Sequence, residues 1–195
     1  MIPFIGLTGG IGAGKSTALA ALERLGVPGL STDQVVHELY ESDEVREAMV
    51  SKFGPTVLRD GVVDRAAIAR EAFTTPGRRE WLEQLLWPRV GERMARWRES
   101  VNAQAPPPRA AVIEVPLLFE SGMESDFDVT LAVIAPEEIR RQRASGRGHE
   151  SLDERGARQL TQDEKAQRAT YTVDNDGSEA ELEAKLSAIL DMLGP

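Results

Sequence analysis

The sequence predicts an α/β protein whose parallel sheet is flanked by helices. Two apolar runs rich in β-branched residues, 110–115 and 128–134, have the composition of strands covered on both faces. The chain opens on a strand, a glycine-rich turn and a helix in direct succession over 2–25. Between these regions, 43–98 carries only amphipathic helical patterns, which marks a helical insertion. A chain of 195 residues suffices for one sizeable α/β domain holding such an insertion, and is short for two independent cores.

Ile2-Pro3-Phe4-Ile5-Gly6-Leu7 reads as a buried strand, Thr8 to Gly14 as the turn, and 15–25 as the helix. A weaker strand follows at 27–30. Ser31-Thr32-Asp33-Gln34 has the Ser-x-x-Gln form of a capping box and opens a helix through Tyr40. Gly54-Pro55, Asp60-Gly61, Pro76-Gly77 and Pro88 punctuate the helical insertion, and no strand is expected there. The run Pro106-Pro107-Pro108 cannot continue a helix and returns the chain to the sheet. Beyond the strands at 110–115 and 128–134, Pro136 starts a helix, 146–151 breaks it, and a second helix covers 152–168. A last strand at 170–173 and an amphipathic helix at 179–193 complete the fold. The expected organisation is a single domain over 1–195, with a core of 1–42, 109–135 and 169–195, a helical substrate subdomain at 43–108, and an arginine-rich lid at 136–168.

The formal net charge of −9 argues against general affinity for nucleic acid, because phosphate backbones are bound by dense Lys/Arg surfaces. With no cysteine, the chain has no disulfide framework, thiolate zinc site or cysteine nucleophile, and the cytoplasm is the expected compartment. No apolar stretch approaches the ~20 residues of a membrane-spanning helix.

Gly9-Gly10-Ile11-Gly12-Ala13-Gly14-Lys15-Ser16 satisfies G-x-x-x-x-G-K-[ST], the P-loop pattern, and gives the fold its type: a P-loop NTPase-like sheet. Its glycines let backbone N–H groups wrap a phosphate at a helix N-terminus. Lys15 then reaches the β- and γ-phosphates of ATP, Ser16 offers its hydroxyl to Mg²⁺, and Thr17 lies next to the α-phosphate. The contact set expected for the nucleotide is Gly12, Ala13, Gly14, Lys15, Ser16 and Thr17.

A P-loop identifies a nucleotide site and leaves the reaction open. Asp33 lies just beyond the second strand, where doubly wound sheets form their ligand crevice. A carboxylate there can accept the proton of an attacking hydroxyl; in the simplest alternative it is a first-turn acidic residue favoured by the helix dipole. Arg140, Arg141, Arg143, Arg147, Arg155 and Arg158 surround a small, flexible turn, and a mobile arginine lid can neutralise charge on a transferring phosphoryl group. Arg143 and Arg147, four apart, are the leading candidates. His37 and His149 lack metal-ligand spacing.

The chain resembles the dephospho-coenzyme A kinase family over nearly its whole length. The segment from Ile5 to Thr17 is similar to that family's extended P-loop, Asp33-Gln34-Val35-Val36-His37-Glu38-Leu39 to its D-x-[IV]-[VA]-H-x-L segment, and Asp60-Gly61-Val62-Val63-Asp64-Arg65 to its D-G-x-[IL]-D-R stretch. Val115-Pro116-Leu117-Leu118-Phe119-Glu120 matches its V-P-L-L-F-E signature. Arg143 and Arg147 fall on its R-x-x-x-R lid positions, Arg155, Gln159 and Lys165 on R-x-x-x-Q followed by K, and the stretch ending Val173-Asp174-Asn175-Asp176-Gly177 on a segment beside the adenine pocket. Trp87-Pro88 stands where the family usually reads His-Pro, and Glu114 where a strand-end aspartate is common.

The resemblance implies transfer of the γ-phosphate of ATP to the ribose 3′-hydroxyl of dephospho-coenzyme A, with Mg²⁺ bridging the β- and γ-phosphates. It implies catalytic roles for Asp33, Lys15, Arg143 and Arg147, an adenine contact from Asn175, and acceptor contacts from Thr8, Asp33, His37, Arg65, Leu117 and Phe119. The partner implied is thus a small molecule, with neither nucleic acid nor membrane involved; oligomeric state is not legible. A nucleoside or nucleoside-monophosphate kinase shares the P-loop, sheet and arginine lid. A nucleotide-dependent switch would need a water-positioning residue and switch segments, and no N-K-x-D base-recognition motif is present.

Overall fold

The computed structural model describes residues 2–75, 77–145 and 159–194. They form two compact units, Met1–Ser31 with Glu99–Pro195, and Thr32–Arg98. The sheet unit begins with β1 (Phe4–Gly9), α1 (Lys15–Arg24) and β2 (Gly29–Ser31).

The helical unit follows. It contains α2 (Thr32–Glu41), α3 (Asp43–Phe53), a 3-10 turn (Pro55–Val57), the two short strands β3 (Leu58–Arg59) and β4 (Val62–Val63), α4 (Arg65–Thr74) and most of α5 (Arg78–Asn102). The chain then supplies the rest of the sheet unit: β5 (Ala111–Glu114), β6 (Val129–Ile134), α6 (Glu137–Ser145), α7 (Gln162–Arg168), β7 (Tyr171–Asp174) and α8 (Glu179–Met192).

The five-stranded sheet has the order β2-β5-β1-β6-β7, and all its strands are parallel. β1 is central and buried along its whole length, with Ile5 opposite both Val112 and Val129. After β1 the chain builds one side of the sheet and later the other, so the carboxyl end of β1 lies at a reversal of strand order, where such sheets bind ligands. Ile5, Leu7, Leu22, Val112, Leu131, Leu186 and Leu190 share one core, through which α1 and α8 pack on the sheet. Arg109 donates to the Leu190 carbonyl at 2.6 Å and to Asp191, tying α8 to the approach to β5.

Three features depart from the sequence reading. A two-stranded hairpin, β3–β4, lies in the insertion where no strand was expected. Its turn is Asp60-Gly61, with both residues at positive φ (53° and 79°), the backbone that a tight two-residue hairpin requires and that Asp-Gly accommodates. Next, α5 continues through Pro88. Proline removes one helical donor, and Arg89 donates to the Leu85 carbonyl at 2.6 Å in the adjoining turn. The helix expected over 152–168 is interrupted within its described part: 159–161 are non-helical, and α7 starts afresh behind Thr161, whose hydroxyl accepts from Glu164 N.

Within the helical unit, α2 packs on α3 and β4. Among the described residues no helix is long and apolar enough to cross a membrane.

Candidate active site

The glycine-rich loop joins β1 to α1. Gly12 (φ 76°) and Gly14 (φ 97°) adopt left-handed backbone, which a side chain would strain, and Gly14 caps α1 without any side-chain hydrogen bond. No capping side chain therefore stands between a ligand and the start of α1. Lys15 Nζ donates to the carbonyls of Gly9 (3.1 Å) and Gly10 (3.2 Å), folding its ammonium back over the loop. Phosphate oxygens are stronger acceptors for an ammonium than neutral carbonyls, so these bonds can be exchanged for a nucleotide's phosphates. Ser16, the second residue of α1, is exposed, and Thr17 is half-buried.

Residues remote in sequence brace this loop. Asn175, just past β7 and 3% exposed, donates from Nδ2 to the Ala13 carbonyl at 2.9 Å. A Cβ at Gly14 would overlap that same amide nitrogen. Arg143, in the last turn of α6, donates to the Asn175 carbonyl at 3.2 Å. Arg140, one turn earlier, donates from Nε to the Ile11 carbonyl at 2.9 Å, and its main chain lies where a Cβ at Gly12 would fall. Arg140 was not singled out by the sequence reading. It was one of six arginines in the segment, and nothing in its spacing separated it from solvated neighbours such as Arg141, which pairs with Glu137 on the exposed face.

On the same unit, Pro116 to Glu120 leave β5 as a loop. Thr8 is fully buried, and its hydroxyl donates to the Pro116 carbonyl at 3.2 Å. Phe119 is 5% exposed and Leu117 39%. Of the three acceptor contacts expected here, Thr8 and Phe119 have buried side chains, and Leu117 presents its side chain outward. Glu114, at the end of β5, is buried at 7%.

On the helical unit, Asp33 and His37 are exposed one turn apart on α2, while Thr32, Val35 and Leu39 on the opposite face are buried. His37 Nε2 lies 3.8 Å from Glu41 Oε1, one turn further on. The D-G-x-x-D-R stretch resolves into structural parts: Asp60-Gly61 make the hairpin turn, and Asp64 caps α4 by accepting from Ala66 N (2.9 Å) and Ala67 N (3.1 Å). Arg65 is thereby presented, exposed, at the start of α4. Burial raises the pKa of the Tyr40 hydroxyl, and the positive charge of Arg65 opposes that shift. Trp87 is exposed on α5 at 59%.

Arg147, Arg155 and Arg158 lie outside the described residues. Among the described residues there is no group of three or more acidic or histidine side chains suited to a metal. A Mg²⁺ held chiefly by phosphates and water needs no such cage, and the exposed hydroxyl of Ser16 in the first turn of α1 fits a single protein ligand to it. The bent loop, the side-chain-free cap and the reorientable Lys15 likewise fit nucleotide phosphates.

The chain matches the family model for dephospho-CoA kinase over residues 3–181. It is similar to the dephospho-CoA kinase of Deinococcus radiodurans, with 38% identity over 192 residues that cover 97% of this chain and 91% of that protein. Its fold is similar to the crystal structure of TT1252 from Thermus thermophilus, with a TM-score of 0.83 and 36% identity, covering 100% and 99% of the two chains. A dephospho-CoA kinase from Campylobacter jejuni superimposes with a TM-score of 0.71 at 24% identity over 99% and 98% of the chains, a likeness of fold alone.

Proposed function

The chain belongs to the dephospho-CoA kinase family, and we propose the division of labour by which its residues carry out that family's reaction. It catalyses ATP-dependent phosphorylation of dephospho-CoA at the ribose 3′-hydroxyl, giving coenzyme A and ADP. The observation that carries this reading is a family match that runs through both the phosphate loop and the acceptor segments, which a nucleoside kinase has no reason to share.

In the proposed mechanism the loop N–H groups and the start of α1 bind the β- and γ-phosphates, and Lys15 leaves the Gly9 and Gly10 carbonyls to follow the charge of the transferring group. The Ser16 hydroxyl would hold a Mg²⁺ carried by the nucleotide, which would supply further neutralisation of phosphate charge. Asp33 accepts the 3′-hydroxyl proton as the new O–P bond forms and the bond to the β-phosphate oxygen breaks, and then returns that proton to solvent. Arg143 and Arg147 stabilise charge on the equatorial oxygens, and Asn175 sets the loop edge beside the adenine. His37, Arg65 and Leu117, all exposed, contact the acceptor, with Thr8 and Phe119 holding the loop that bears Leu117. The reaction is assigned to the cytoplasm.

A coupled ADP-release assay with dephospho-CoA, AMP, adenosine or no acceptor tests the assignment. Turnover is expected with dephospho-CoA alone; turnover with AMP or adenosine at comparable kcat/KM would replace it by a nucleoside-kinase reading.

A further inference from the structure

Lys165 on α7 is fully buried, an unusual state for an ammonium group, which loses its hydration and must be repaid by partners. Its Nζ donates to the Pro116 carbonyl at 2.6 Å and lies 2.9 Å from Glu120 Oε1. Glu120 Oε1 also accepts from Leu160 N at 2.9 Å, so the carboxylate is held from two sides. Burial lowers the pKa of Lys165, against the opposing pull of Glu120. Buried ion pairs of this kind are poor stabilisers, since a well-packed apolar pair often does as well. Stability alone therefore does not account for this one.

Its location supplies another reason. The Pro116 carbonyl oxygen receives two donors, Lys165 Nζ from α7 and Thr8 Oγ1 from β1, the strand that leads into the phosphate loop. Pro116 is also the first residue of the loop that bears the exposed Leu117. The geometry points to Lys165 as a positioning residue for the acceptor: through the Pro116 carbonyl it fixes loop 116–120 against the end of β1, and so sets where Leu117 meets dephospho-CoA. Lys165 touches no substrate, and the inference rests on the assignment of Leu117 to the acceptor.

The test uses three variants of the full chain: Lys165→Met, the double variant Lys165→Met/Glu120→Gln, and Leu117→Ala. The single change strands the Glu120 carboxylate in the interior and lowers the melting temperature. The double change removes both charges while keeping an acceptor for Leu160 N, and restores most of that loss. The expected result is that the double variant still shows a KM for dephospho-CoA raised about 10-fold, the scale of one charged hydrogen bond, with ADP affinity by calorimetry unchanged. A double variant with wild-type KM for dephospho-CoA, while Leu117→Ala raises it, overturns the role of Lys165 and leaves the acceptor loop standing. An unchanged KM in Leu117→Ala overturns the loop assignment itself and the inference with it. A parallel loss of ADP affinity in the double variant also overturns it, because the effect would then lie in the phosphate loop.

Discussion

The side-chain amide of Asn175 donates to the main-chain carbonyl of Ala13 at 2.9 Å, a buried bond that links the end of β7 to the phosphate loop. Asn175→Asp keeps the shape but sets a carboxylate against that carbonyl. An unpaired or repelled buried polar group costs about 1–3 kcal/mol, so ADP affinity is expected to fall about 10-fold or more. Calorimetric titration of the folded variant checks this, and unchanged affinity would reduce Asn175 to a packing role.

Lys15→Ala should abolish phosphoryl transfer while leaving the melting temperature close to that of the parent. The ammonium bonds loop carbonyls in this structure, and its proposed partners are phosphates. Transfer at the parental rate by a folded variant would contradict the P-loop assignment.

Arg140→Met removes the donor to the Ile11 carbonyl while keeping an unbranched side chain suited to a helix. Because the bond holds the loop and touches no acceptor group, the KM for ATP should rise about 10-fold, the value of one hydrogen bond to a charged group. The KM for dephospho-CoA should stay constant. Equal changes in both would show a general loss of structure.

The sheet was legible because strands covered on both faces read as unbroken apolar runs, and β5 and β6 end within a residue of the expected limits. The phosphate loop was legible because its glycines and Lys15 have no other common use. β3 and β4 were missed: two-residue strands carry no periodicity, and Asp60-Gly61 was taken for a break between helices although it is also a hairpin turn. The burial of Thr8 and Phe119 was not legible for a different reason. A motif marks residues that matter without distinguishing the ones that touch a ligand from the ones that hold its loop, and only burial separates Phe119 from Leu117. Arg140 and the Lys165–Glu120 pair depend on contacts far apart in sequence, which no local pattern encodes.

Acid stability offers a check on the helix starts. Backbone and hydroxyl donors of Thr161 hold the Glu164 carboxyl below its ordinary pKa, and those of Ser178 do the same for Glu181. A lowered folded-state pKa contributes stability above the ordinary carboxylate pKa and loses it as pH falls through the folded-state value. Glu164→Gln/Glu181→Gln retains acceptors at both caps without titrating, so its melting temperature should decline less steeply below about pH 5. Both carboxylates are exposed and screened, so the difference should be small. Parallel acid limbs for the variant and the parent would contradict this origin.

In the proposed mechanism Asp33, exposed in the first turn of α2, handles the acceptor proton. The most direct measurement is single-turnover transfer from ATP to dephospho-CoA by Asp33→Asn, with ATP titration and thermal melting on the same preparation. The substitution preserves size and removes the base, so near-native ATP affinity and a transfer rate lower by about 10²-fold or more are expected. A merely dipolar role for the first-turn carboxylate would instead cost roughly 0.3–1 kcal/mol of stability. Parental turnover with a lowered melting temperature would remove Asp33 from the mechanism.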